Sequence, residues 1–77
     1  MSNYDRIMEV LEGNFLGSNI DNVTDENIID TLQENGLSCT IVGSRYYSTL
    51  DEYEVDIEEA CAYIAFVFEN DICVDIY

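Results

Sequence analysis

The chain has 77 residues, seventeen of them Asp or Glu, against two basic residues, Arg6 and Arg45, and no His; its formal net charge is −15. That length leaves room for a single domain over residues 1–77 with a small core. The charge excludes nucleic acid and anionic lipid as direct partners. A hydrophobic content of 48% is that of a folded chain, not a disordered acidic tail.

In chain order, Tyr4, Ile7, Met8, Leu11 and Phe15 recur at helical spacing, with Asn3 able to cap. Gly13 weakens the continuation, so a helix is predicted over residues 4–12. Residues 17–23 read as a polar loop. Thr24 has the chemistry of an N-cap, Asp25 and Glu26 suit a first helical turn, and Gly36 is a stop. A second helix is therefore predicted over residues 25–35.

Residues 37–42 read as a short strand, Gly43 and Ser44 as a turn, and residues 45–50 as a second strand. Tyr53, Val55 and Ile57 alternate with Glu54, Asp56 and Glu58, the period of a half-buried strand. The next segment supports two readings. Asp56 and Glu59 have the spacing of a capping box, which favours a third helix over residues 57–69. The run from Tyr63 to Phe68 is equally rich in strand formers, and a hairpin through Asn70 and Asp71 is the other possibility. The capping box tips the expectation to the helix. Ile72, Val74 and Ile76 then alternate as a closing strand. The predicted class is α+β: two N-terminal helices, a short antiparallel or mixed sheet, a third helix and a closing strand.

Cys39, Cys61 and Cys73 are odd in number, lack metal-ligand spacing and sit among apolar residues. They read as small buried hydrophobes in a reducing cytoplasm. Without His, no imidazole base or metal ligand is available, and Cys without His lacks the usual nucleophile–base pair. No apolar run reaches the roughly 20 residues of a membrane span, and the polar N-terminus does not read as a signal peptide. No catalytic residues, metal or cofactor are expected.

Six acids, Asp51, Glu52, Glu54, Asp56, Glu58 and Glu59, fall within nine residues with no cation between them. They are the candidate partner-binding residues. On the helical reading, Tyr63 and Phe66 would form an exposed aromatic pair, a candidate dimer or partner surface; the alternative is that both are core. Duplex DNA carries one charge per about 1.7 Å, so fifteen charges match about 25 Å of duplex. An acidic surface kept only for solubility is the plain alternative.

Two resemblances follow. In size, acidity and lack of catalytic residues the chain resembles the small phage-encoded anti-restriction and anti-CRISPR proteins, several of which mimic DNA. That resemblance is compositional. It implies a non-catalytic inhibitor acting in the host cytoplasm on a basic, nucleic-acid-binding component of a defence system, with a homodimer as one form. The second is carried by Gly43-Ser44, Glu54-Val55-Asp56 and Val74-Asp75-Ile76, a pattern that resembles the nucleotidyltransferase superfamily. It implies that Gly43 and Ser44 hold phosphate, while Glu54, Asp56 and Asp75 bind two metal ions. The first acid is Glu where that family uses Asp, and only Arg45 is at hand for a triphosphate. The binding reading ranks first.

Overall fold

A computed structural model describes residues 3–77. Two helices lie on one face of a four-stranded antiparallel sheet whose strands follow chain order, β1-β2-β3-β4. The elements are α1 (Asn3–Phe15), α2 (Asp25–Glu34), β1 (Ile41–Tyr47), β2 (Glu52–Ile57), β3 (Ala62–Glu69) and β4 (Ile72–Ile76). Short 3-10 turns occupy Ile20–Asn22 and Glu58–Ala60. The α+β class is as expected, and the Cα radius of gyration is 11.4 Å.

The core is one layer. From the helices it takes Ile7, Met8, Leu11, Phe15, Ile28 and Leu32. From the sheet it takes Val55 and Ile57 of β2, Ile64, Phe66 and Phe68 of β3, and Cys73 and Ile76 of β4. Phe66 is fully buried and meets Phe15 edge to face, with ring centroids 5.7 Å apart. Thr24 caps α2 as expected, its Oγ1 accepting from the Asn27 amide at 3.2 Å. Asn35 is the C-cap, and Gly36 follows at φ +81°.

Four expectations need correction. The first helix continues through Gly13 to Phe15, because Phe15 stands one turn beyond Leu11 and is buried with it. That burial outweighs the roughly 1 kcal/mol that a helical glycine costs relative to alanine. Secondly, Gly43 and Ser44 are not a turn. They lie inside β1, which starts later than expected and carries a bulge between Ile41 and Gly43. The reversal comes at residues 48–51, where Asp51 takes φ 52°.

Thirdly, the segment from 57 to 69 is not a helix. After one 3-10 turn ending at Cys61 (φ 53°) it becomes β3, an inner strand of the sheet. Asp56 caps nothing; it is a β2 residue paired with Tyr63. Asn70 and Asp71, at φ 52° and 65°, make the two-residue hairpin that joins Glu69 to Ile72. Two successive positive-φ residues are the geometry of a type I′ turn, which Asn and Asp tolerate. Pairing on both edges of this strand-forming run overrode the local capping signal. Fourthly, of the three thiols only Cys73 is buried; Cys39 is half-buried and Cys61 exposed.

Candidate functional site

The helices leave the other face of the sheet without a cover, and side-chain alternation fixes what stands on it. Register places Tyr47 opposite Glu52, Arg45 opposite Glu54 and Gly43 opposite Asp56 on β1 and β2. On β3, Val67, Ala65 and Tyr63 face the same three acids. On β4, Asp75 pairs with Val67, and Tyr77 exchanges backbone hydrogen bonds with Ala65 at 2.7 and 3.0 Å. The outer face thus carries Glu52, Glu54, Asp56 and Asp75 among Tyr47, Tyr63 and Tyr77. Carboxylates two residues apart on one strand repeat at about 6.5–7 Å.

Three of the six candidate acids therefore share this face. The other three do not. Asp51 lies in the β1–β2 turn, where its Oδ1 accepts from the Tyr46 hydroxyl at 2.6 Å. Glu58 is exposed in the 3-10 turn. Glu59 bends away to accept the Thr40 amide at 2.7 Å, tying the end of β2 to the segment that enters β1. That amide holds the Glu59 carboxyl below the ordinary range. Glu59 is a structural acid, and the capping-box spacing that singled it out reflects a bond to a different backbone segment.

Tyr63 and Phe66 are not a pair. They are three residues apart on one strand, so they point to opposite faces. Tyr63 is 65% exposed on the outer face; Phe66 is core, because its side of β3 meets the helices. The acid cluster is also less free of cations than its sequence spacing implies. Arg45 is brought opposite Glu54, with its guanidinium 4.9 Å from the Tyr47 ring centroid.

With so few cations, carboxylates find hydroxyl partners. Tyr77 donates to Glu52 at 2.7 Å, crossing β3 from β4 to β2. It passes over Ala65, which points outward yet is only 5% exposed. On the inner side, Asp25 accepts from Ser44 Oγ at 2.9 Å and from the Tyr53 hydroxyl, pinning the start of α2 to β1 and β2. Tyr47, Tyr77 and Arg45 were not singled out as site residues by sequence. Their place on the face depends on strand register, which local spacing does not encode.

The tyrosine–carboxylate bonds raise the phenols. Bonding to Asp51 raises Tyr46, and bonding to Glu52 raises Tyr77. Burial, then the bond to Asp25, raises Tyr53. A raised phenol contributes stability that is complete below the ordinary tyrosine value near 10 and is lost as pH rises through the folded value. Spectrophotometric titration should therefore show part of the tyrosine absorbance change displaced to higher pH in the folded chain than in urea. Superimposable curves would mean that these bonds do not persist in solution.

The nucleotidyltransferase arrangement does not assemble. Ser44 faces the helices, bonded to Asp25, while Glu54 and Asp56 stand on the outer face. Asp75 is on β4, two strands from β2, roughly 9.5 Å at the usual inter-strand spacing. Among the described residues no group of three or more acids, thiols or imidazoles is placed to hold a metal ion. No helix there is long and apolar enough to cross a membrane. No family model matches this chain, and neither a curated protein nor a solved structure matches it significantly.

Proposed function

We propose that this protein is a non-catalytic binding module whose acidic surface occupies a basic, nucleic-acid-binding surface of another protein. It acts as a DNA mimic in the manner of a phage-type inhibitor of a host defence system, in the host cytoplasm. The observation that carries the reading is the uncovered sheet face, where Glu52, Glu54, Asp56 and Asp75 stand among exposed tyrosines in a chain of net charge −15. Regularly spaced carboxylates on a rigid sheet meet Lys and Arg at separations comparable to successive phosphates. Tyr63 and Tyr77 supply large contact area of the kind enriched at interfaces. Excess charge destabilises the compact state, and a cationic partner relieves it.

The test is capture of a partner on the immobilised protein, followed by challenge with duplex DNA and with salt. A mimic's partner is displaced by duplex and weakens steeply between about 50 and 500 mM salt, because the Debye length shortens severalfold. Replacing Glu54 and Asp56 together by Lys should weaken that partner by about tenfold or more. The same reversal at Glu9 and Glu12 on α1 should change it little. A partner indifferent to duplex and salt would refute mimicry. Loss confined to the α1 variant would move the site to the helices.

A further inference from the structure

The two edges of the sheet differ. The β4 edge is closed by the chain itself: Gly17 donates to the Cys73 carbonyl, Cys73 to that of Ser18 and Ile20 to that of Asp71, each at 2.8 Å. The β1 edge has no such cover among the described residues. The ladder shows which of its groups are free to pair. Phe68 donates to the Asp51 carbonyl and Glu58 to that of Thr40, so Glu52, Glu54 and Asp56 turn their backbone groups toward β1. Alternation then directs Gly43, Arg45 and Tyr47 toward β2, and Ser44 and Tyr46 outward.

Hollows flank this edge on both sides. One, of about 420 Å³, lies between α2 and β1 and is lined by Glu26, Asp30, Ile29 and Ile41 among others. The other, about 270 Å³, sits on the outer face over Gly43, lined by Glu54, Asp56 and Tyr63 and also by Arg45, whose single charge leaves the two acids in excess. Each combines apolar or aromatic walls with acids. A strand laid along β1 would send alternate side chains toward one hollow and then the other.

We propose that the β1 edge takes up an extended segment of a cationic partner as a fifth strand, backbone to backbone at Ser44 and Tyr46, with its Lys or Arg side chains reaching the two acidic hollows. Charge complementarity selects this occupant. A second copy would bring another −15 to the same edge and be repelled. The proposal rests on the acidic-module reading and narrows the partner to one that presents an extended basic segment, a recognised form of strand addition.

The probe is a blocked peptide of about nine residues in which Lys-Lys and Val-Val pairs take turns, so that lysines fall on both faces of the strand, long enough to span β1. Its control has the same sequence and charge, N-methylated at successive central residues so that neither of its edges can pair. Amide hydrogen exchange is read by NMR on the whole chain at low salt. In the free protein the Ser44 and Tyr46 amides should exchange fast, while those of Gly43, Arg45 and Tyr47 are protected. The plain peptide should slow Ser44 and Tyr46 by at least about tenfold, and the methylated one should not.

Equal affinity for both peptides, or binding without protection at Ser44 and Tyr46, would overturn the strand proposal and leave an acidic surface that binds cations without strand pairing. Failure of both to bind would overturn it as well; duplex displacement of the captured partner decides the broader reading independently. Protection of these amides that grows with protein concentration alone would show self-pairing, and would also refute it.

Discussion

Phe66→Ala should leave most of the protein unfolded at room temperature. The ring is fully buried on the central part of β3 and packs edge to face on Phe15 of α1, so it joins the sheet to the helical layer. Truncating a buried Phe costs about 3–5 kcal/mol, transfer and cavity terms together. A chain of this length has about 4–12 kcal/mol of stability in all, and uncompensated charge places this one toward the lower end. Circular dichroism and a urea titration would measure the effect. A variant that keeps its cooperative transition within about 1 kcal/mol of the parent would mean that Phe66 does not sit in a packed core. Tyr63→Ala is the matching control: an exposed outer-face residue whose loss should cost far less.

The second large effect is that of salt on the isolated protein. Fifteen excess negative charges within a body of 32 × 21 × 20 Å repel one another more in the folded state than in an expanded chain. Shortening the Debye length from about 30 Å at 0.01 M to about 8 Å at 0.15 M removes much of that difference. The Coulomb relation puts the gain at a few kcal/mol. In a domain of this size each kcal/mol shifts the melting temperature by about 4–8 °C, so a rise on the order of 10 °C is expected. The measurement belongs at pH 7. There the Glu59–Thr40 bond contributes fully, since its stabilisation is lost only as pH falls through the lowered carboxyl value. A melting temperature that stays flat or falls with sodium chloride would refute the repulsion account.

The parts of the fold legible in the sequence are those that local chemistry decides. Thr24 and Gly36 bracket α2 because a cap and a stop act on the backbone beside them. Tyr53, Val55 and Ile57 announce β2 because one face is buried and the other is not. β3 lacked that signature. Its outward Ala65 is covered by Tyr77, and Val67 is half-buried, so the alternation is blurred into a continuous apolar run. The β1 boundaries differ from expectation because Gly43 pairs with Asp56 inside the strand, next to the bulge, rather than forming a turn. The site divides in the same way. That Glu52, Glu54 and Asp56 share a face follows from their spacing. That Arg45 stands opposite Glu54, or that Glu59 reaches Thr40, depends on register and long-range contact.

The order of the strands also bears on how the chain acquires its structure. Each strand pairs with its neighbour in sequence, across the turn at 48–51, the 3-10 turn and the Asn70–Asp71 hairpin. Closing such short loops costs little entropy, and topologies dominated by local contacts fold quickly. The chain contains no proline, so no prolyl isomerisation delays it. The distant closures join the N-terminal layer to the sheet: Gly17 and Ser18 dock on Cys73, Phe15 meets Phe66, and Asp25 bonds Ser44 and Tyr53. Docking of the N-terminal layer, rather than strand pairing, is then the expected slow step as this chain folds.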